Sequence, residues 1–366
     1  MRFQSQSGLV FSTALATLAV AGCSTSSGGS SSSVPDASAD SAAFDGAPAD
    51  ARMPADGPLD AAAVREAAMG EDSGDAATED DASDGAAALP DAARNDAGCL
   101  IDCAAHPSAC GYPDETNTGV PPSMTLTASG YLNVTKDGTT LNGLDITGGV
   151  NIQASNVTIK NCRLTGGAEA YFLVSIRQGS MNTLIEDSTI AGLDDSTNGL
   201  SVGIFDISGA GSGTTLRRLN MYNCAECING QPTTVEDNYI HDLAFWASDA
   251  GPTHNEDVYL PCPDGPITMS HNTFFNQVDQ TATVYVDSYG GACSNTTISD
   301  NLLAGGGWTF YVPQAGTAFS FTNNRFSRLY FPSSGGYGPI AGCSGSGCGS
   351  PKVTGNIWDE TCAAVE

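Results

Sequence analysis

A short pattern that recurs along the C-terminal part of the chain constrains the fold more than any other feature. Each copy places an apolar residue before a few turn-favouring polar residues and a second apolar residue, as in residues 185–190 (Ile-Glu-Asp-Ser-Thr-Ile). The copies begin at positions 141, 159, 185, 216, 235, 269, 298, 321 and 353. A period in the twenties with variable insertions is typical of solenoids.

The residue types in the copies favour strands over helices, because Val, Ile, Thr and Asn dominate them. Short strands joined by polar turns once per repeat predict an all-β fold, a single-stranded right-handed parallel β-helix. The Asp, Asn and Ser residues after Ile185, Val235, Ile298 and Phe321 are expected to stack as a turn ladder rather than bind a ligand. A β-sandwich is the competing architecture, but its turns would lack this longer period.

The N-terminus predicts export and lipid anchoring. Arg2 precedes an apolar run from Gly8 to Gly22, which is too short for a finished membrane span and typical of a signal peptide. The run ends in residues 20–23 (Val-Ala-Gly-Cys), which resemble a bacterial lipobox with Cys23 as the lipidated residue. We predict a signal peptide over 1–23 and a domain held at the cell envelope, with the outer membrane favoured, by its lipid alone.

Residues 24–98 are mostly Ser, Ala, Asp, Gly and Pro, a composition that cannot bury enough apolar surface to fold. We expect a disordered linker here and a β-helix domain over 99–366. The chain has a net charge of −28, and residues 99–366, with 25 acidic and 9 basic side chains, retain −16. That charge excludes nucleic acid as a favoured partner.

Twelve cysteines in an exported chain predict disulfides. Cys343 with Cys348, and Cys262 with Cys293, are plausible pairs by their spacing. The two cysteines of the Cys-Ala-Glu-Cys segment at 224–227 are interpreted as structural, because no thioredoxin-like pattern surrounds them.

Several segments resemble a family of secreted bacterial right-handed β-helix proteins in the pectin lyase-like superfamily. They are residues 111–121, 301–307, 324–328 and 335–339. The resemblance implies the fold but no particular reaction, because that superfamily includes lyases, glycosidases and noncatalytic adhesins. Relatives carry His-Thr-Asp-Gly where this chain has His-Asn-Glu-Asp at 254–257, so the catalytic Asp cannot be transferred directly.

Three apolar-Tyr-apolar triplets place Tyr259, Tyr285 and Tyr311 at equal intervals along the chain. If the flanking residues face the coil interior, the tyrosines form an outer row with a rung spacing of about 4.8 Å. Such a row is either a platform for sugar rings or an aromatic stack that only stiffens the sheet.

Acidic and histidine side chains accompany the triplets and are the candidate site. We predict catalytic roles for Asp242, His254, Glu256, Asp257 and Asp287. Substrate-binding roles are predicted for His241, Arg325 and Arg328 in addition to the three tyrosines. Two carboxyls with a nearby His suit glycoside hydrolysis, which is favoured over lyase elimination because of the acidic balance. His106 and His271 are interpreted as structural.

The leading hypothesis is a surface-tethered, monomeric protein that binds, and in one version cleaves, an extracellular polysaccharide. The alternative is a noncatalytic adhesin or an envelope spacer whose β-helix is only a stiff rod. No cofactor is required in either hypothesis and no protein metal site is predicted, although calcium is compatible with the many carboxylates.

Overall fold

The structure is a computed structural model that describes residues 93–95, 98–167, 171–193, 199–248, 251–261, 265–287, 293–312, 318–342 and 352–365. The predicted signal peptide, the lipidated Cys23, Cys262, the Cys343–Cys348 pair and nearly all of the linker lie outside these residues. No helix in the described ranges is long and apolar enough to cross a membrane.

Three long parallel sheets form the domain, and the chain visits them in a fixed order, one strand per sheet in each coil. The architecture is therefore a parallel β-helix, as the repeat predicted. We call the sheets face 1, face 2 and face 3. A small antiparallel pair, β17 (Ala247–Ser248) and β18 (Gly251–Pro252), lies in an excursion between faces 1 and 2.

The strands of each face are as follows. Face 1 contains β1 (Thr127–Ser129), β4 (Leu144–Thr147), β7 (Arg163–Gly166), β10 (Thr189–Gly192), β13 (Asn220–Tyr222), β16 (Tyr239–Ile240), β21 (Thr273–Asn276), β24 (Leu302–Gly305), β27 (Arg325–Ser327) and β30 (Ile357–Trp358). Face 2 contains β2 (Leu132–Val134), β5 (Val150–Ile152), β8 (Phe172–Ile176), β11 (Leu200–Asp206), β14 (Cys224–Gly230), β19 (Glu256–Pro261), β22 (Ala282–Asp287), β25 (Trp308–Tyr311) and β28 (Gly338–Ala341). Face 3 contains β3 (Thr140–Asn142), β6 (Thr158–Lys160), β9 (Leu184–Glu186), β12 (Thr215–Arg217), β15 (Thr234–Glu236), β20 (Ile267–Ser270), β23 (Thr296–Ser299), β26 (Phe319–Thr322) and β29 (Lys352–Thr354).

The repeated pattern corresponds to the turn from face 3 to face 1. Its two apolar positions point into the coil, where Ile, Leu, Val and Met fill the earlier coils and Phe321 and Phe326 the later ones. Val353, in the last copy, is exposed. The third residue of all nine copies has a positive φ, between 48° at Asp187 and 75° at Gly355. Asn, Asp and Gly tolerate this conformation better than other residues, which explains the turn chemistry of the repeat.

The following position forms the predicted ladder. Five buried asparagines are joined amide to amide, by bonds of 2.9, 2.8, 2.9 and 3.1 Å along the series. They are Asn238, Asn272, Asn301, Asn324 and Asn356. Each amide also bonds to backbone groups of its own or a neighbouring turn, so the ladder satisfies polar groups that the coil buries.

Residues 99–120 form a strap that runs back along the outside of the coils. Cys99 is disulfide-bonded to Cys362 near the last coil, and the Tyr112 hydroxyl donates to Asp300 at 3.3 Å. Further on, the Gly119 N–H donates to the carbonyl of Arg218 at 2.9 Å. Two 3-10 turns, η1 (Cys103–Ala105) and η2 (Pro107–Cys110), are linked by the Cys103–Cys110 disulfide.

Candidate functional site

The three tyrosines lie in register on face 2, as the spacing of the triplets predicted. Tyr259 pairs with Tyr285, and Tyr285 with Tyr311, on the neighbouring strands β19, β22 and β25. The residues on either side, such as Val258 and Val284, are in the core, so the tyrosines point outward. The Tyr259 hydroxyl donates to Asp287 Oδ2 at 2.6 Å, which attaches the Asp287 carboxylate to the row.

The orientation of the rings decides what this row can offer a ligand. Tyr285 and Tyr311 are stacked nearly parallel, with centroids 5.0 Å apart and an interplanar angle of 8°. Tyr259 meets Tyr285 at 61° and 5.4 Å. Stacked rings cover each other's faces, so the row presents ring edges and hydroxyl groups rather than a flat platform for sugar rings.

A bend in the strands of face 2 brings two glutamates to the same outer side as the tyrosines. Cys227 and Ile228 are consecutive residues in β14, yet both belong to the core, which breaks the usual alternation of inward and outward side chains. Glu226 therefore lies outside, where it accepts a hydrogen bond from the Asn229 amide. Glu256 pairs in register with Glu226, as Tyr259 does with Asn229.

The two glutamates form a pair of neighbouring carboxyls on the side of the tyrosine row where the strands of face 2 begin. Glu256 is only 1 % exposed, and its Oε2 atom has no hydrogen-bond partner among the residues that the structure describes. His254 Nδ1 lies 3.9 Å from Glu256 Oε1 and 3.4 Å from the Thr281 hydroxyl. Burial raises the pKa of Glu256 well above its usual value, and the Glu226 carboxyl raises it further. Burial also raises the pKa of Glu226, so the pair retains a proton to higher pH than surface glutamates.

Asp257 does not share this surface. It lies between Glu256 and Val258, which pair with Glu226 and Ile228 of β14, and it has no exposed area. Burial raises the pKa of Asp257 well above its usual value, and nearby backbone N–H groups of Asp257 and Phe275 only partly oppose this. Asp257 is as buried as Glu256, and its predicted catalytic role stays a prediction.

Asp242 and His241 lie on face 1 and not beside the tyrosines. They directly follow β16, and His241 Nδ1 is 2.7 Å from Asp242 Oδ2. The other ring nitrogen of His241 lies 3.0 Å from Asn220 Oδ1, and the His241 ring stacks on Tyr239. The predicted convergence into one groove is therefore wrong for these residues, because the turn after β16 lies at the edge of another sheet.

Glu256 and Asp287 share face 2 but lie at its opposite edges, Glu256 where β19 begins and Asp287 where β22 ends. Asp287 pairs in register with Pro261, five residues beyond Glu256, which corresponds to about 16 Å along a strand. The two carboxyls are therefore too far apart to act together on one glycosidic bond, for which separations of about 5 to 9.5 Å are typical.

Both arginines stabilise the last coils. Arg325 is 7 % exposed, donates to Asp359 Oδ1 at 2.9 Å and donates to the carbonyl of Leu100 at 2.6 Å. Arg328 pairs with Glu360 and stacks over the ring of Trp358 at 3.7 Å. Arg325 lies in β27 of face 1 and Arg328 directly follows that strand, so their predicted contact with a ligand on the tyrosine row is not supported by their placement.

The cysteines and His271 have structural contacts, whereas the predicted structural role of His106 stays a prediction. Cys224 and Cys227 are disulfide-bonded within β14 and fully buried, as their structural interpretation requires. Cys293 is disulfide-bonded, and Cys162 is a buried free thiol. His271 contacts Asp237 at 2.7 Å and stacks against Tyr112.

A metal centre is not evident in the described ranges, where no three His, Cys, Asp or Glu side chains converge to hold an ion. The expectation that calcium is tolerated stays a prediction.

No protein-family model matches the chain, and neither do any of the curated proteins or solved structures compared with it. The parallel β-helix is thus established by the sheets themselves, whereas membership of the pectin lyase-like superfamily stays a prediction from the sequence.

Proposed function

We propose that the β-helix binds an extended polysaccharide across face 2, along Tyr259, Tyr285 and Tyr311. The observation that carries this proposal is the in-register row of half-buried phenols on three neighbouring coils. A regular line of hydroxyl groups, with the Asp287 carboxylate beside it, offers hydrogen bonds to the hydroxyls of successive sugar units. Binding of this kind needs no catalysis and suits an adhesin.

The charges around the row favour an uncharged polysaccharide. Glu226 and Glu256 lie on the side of the row where the strands of face 2 begin, and Asp287 lies on the side where they end. The cations that could neutralise uronate groups, Arg325 in face 1 and Arg328 directly after it, are paired with carboxylates. A polyanion such as pectate would meet repulsion on this face. Attachment to the envelope through a lipid on Cys23 completes the proposal and rests on the sequence alone.

A comparison of phenylalanine variants tests the binding mode. The full chain is run in affinity electrophoresis against neutral and anionic polysaccharides, with Tyr285→Phe as the variant and Tyr131→Phe as the control. Tyr131 is 60 % exposed and lies just before β2, six coils before Tyr285 on face 2. We expect a neutral glycan to retard the chain. Tyr285→Phe should weaken the affinity for that glycan about 5- to 10-fold, as expected for the loss of about one hydrogen bond. If no glycan retards the chain, the proposal is wrong.

Hydrolysis is a second candidate function, supported by the Glu226–Glu256 pair. Strands in register are about 4.8 Å apart, close to the separation of about 5 to 5.5 Å between the carboxyls of retaining glycosidases. Glu226 is the less buried of the two and would be the acid nearer the substrate. Release of new reducing ends by the full chain, lost in Glu226→Gln, supports hydrolysis. Binding without any new reducing ends contradicts it.

A further inference from the structure

The strap and face 1 enclose a cavity of about 270 Å3 that is separate from the tyrosine row. One wall comes from the strap residues 104–109 and 114–116, and the floor is formed by Tyr239 and Phe275 of face 1. The Cys103–Cys110 disulfide and the hydrogen bonds that Asp114 accepts from other strap residues fix the shape of the strap. The Ala104 N–H, which donates to Asp359, attaches the strap to the coils. The cavity is therefore a preformed feature of the fold.

The floor of the cavity is aromatic. His241 stacks on one side of Tyr239, with centroids 4.2 Å apart and an angle of 16°. The Phe275 ring approaches Tyr239 edge-on at 85° and 6.1 Å, and it is almost completely buried. These contacts hold the Tyr239 ring in one orientation, which lowers the entropy cost of packing a ligand on it.

The walls of the cavity are acidic. Burial opposes ionisation of Asp114, but hydrogen bonds from Ser108 and Thr116 outweigh it and lower the pKa of this carboxyl. Glu115 is exposed on the cavity lining. Besides burial, the charges of Glu115, Asp242 and Asp114 raise the pKa of Tyr239. All three carboxylates are therefore close enough to contribute negative potential at the Tyr239 side chain. Among the described residues that line the cavity, none is Lys or Arg, and the exposed His106 is the one further titratable side chain with a basic group.

We propose that this cavity binds a compact organic cation, an ammonium or trimethylammonium group, over the ring of Tyr239 and beside Glu115. An aromatic face attracts a cation through its quadrupole, and carboxylates at the rim add Coulomb attraction. Anions are excluded by the same charges. A neutral group of equal size would gain only the contact with the rings, which in so small a cavity is a weak interaction.

The proposal is independent of glycan binding because it uses another face and other residues. It also assigns a role to Asp242 and His241, which the sequence identified but the tyrosine row does not use. Asp242 contributes charge near the floor, and His241 supports the ring that would contact the cation. His241 is thus a positioning residue for Tyr239.

The test uses isothermal titration calorimetry of the full chain with four probes at constant ionic strength. Tetramethylammonium and n-butylammonium are the cations, and tert-butanol and 1-butanol are the neutral controls of similar size. Comparison of the two affinities shows whether the cavity prefers a quaternary or a primary ammonium group. We expect at least one cation to bind with a Kd on the order of 1 to 10 mM, and the alcohols to bind at least about tenfold more weakly.

Three variants connect the binding to the cavity. Tyr239→Leu should weaken cation binding at least about fivefold, and Glu115→Gln about two- to threefold, as expected for one ring and one exposed charge. The control Asp279→Asn removes an exposed carboxylate outside the cavity lining and should leave binding unchanged. Because Glu115 is exposed, its variant should fold even if Tyr239→Leu does not. Equal binding of alcohols and cations, no cation binding, or an affinity unaffected by Glu115→Gln would overturn the proposal.

Discussion

Replacing Asn301 by alanine removes the centre of the buried asparagine ladder. The Asn301 amide nitrogen donates to Asn324 Oδ1 at 2.9 Å and to the carbonyl of Ser299 at 3.0 Å, while its oxygen accepts two bonds from Asn272. A buried hydrogen bond contributes about 1 kcal/mol net, and each partner left without a bond costs about 1 to 3 kcal/mol. Some partners keep a second bond, so we expect Asn301→Ala to lower the free energy of unfolding by about 3 to 5 kcal/mol.

Urea unfolding followed by circular dichroism and tyrosine fluorescence measures this loss, provided that the two signals coincide. Asn142→Ala is the matched control, because Asn142 is exposed and accepts a single side-chain bond from Asn161 at 2.8 Å. We expect the control to cost at most about 0.5 kcal/mol, since water replaces an exposed partner. Equal losses in the two variants would refute the view that burial makes the ladder stabilising.

Two further predictions concern the buried acid and the strap. Asp257→Asn should stabilise the fold above pH 4 to 5. The pKa of Asp257 is raised in the folded protein, so the protein loses stability as the pH rises above the pKa of about 3.9 that Asp has in the unfolded chain. Thermal unfolding at pH 4 and pH 8 measures this effect, and an equal effect of the variant at both pH values would contradict it. Removal of the Cys99–Cys362 disulfide, which closes a span of 263 residues, by a double alanine variant should cost up to about 5 kcal/mol on a chain-entropy basis. The Cys103–Cys110 bond, with a separation of 7, should contribute about 2 to 3 kcal/mol by the same measure, and urea midpoints that rank the two bonds in the opposite order would contradict this.

The repeat predicted the fold because each coil uses the same local chemistry. The third position of every copy, such as Asp237 or Asp300, adopts a positive φ, and the next position repeatedly supplies a buried asparagine amide. The tyrosine row was predictable for a similar reason, since the equal spacing of Tyr259, Tyr285 and Tyr311 reflects a constant coil length. Both features depend only on spacing along the chain.

The acidic residues were less predictable because their direction depends on one bend. A strict alternation from Tyr259 places Asp257 outside and Glu256 inside, whereas in the structure both are buried and Glu256 is the one that pairs in register with Glu226. Glu226 was missed as a site residue because it lies between two disulfide-bonded cysteines. One signal was available: Glu226 and Asn229 precede Glu256 and Tyr259, respectively, by the same interval along the chain.

The strap could not be predicted, since it has no repeat and its contacts join residues far apart in sequence. It has a mechanical consequence for the domain. Residues 93–95 and 98–101 lie beside the last coil, where Asn95 contacts Thr361 and Leu100 contacts Arg325. Tension that enters at residue 93 therefore passes through the Cys99–Cys362 bond into the C-terminal end and leaves the coils near β1 unloaded. Once that bond is reduced, the same tension would peel the strap from the coils one hydrogen bond after another.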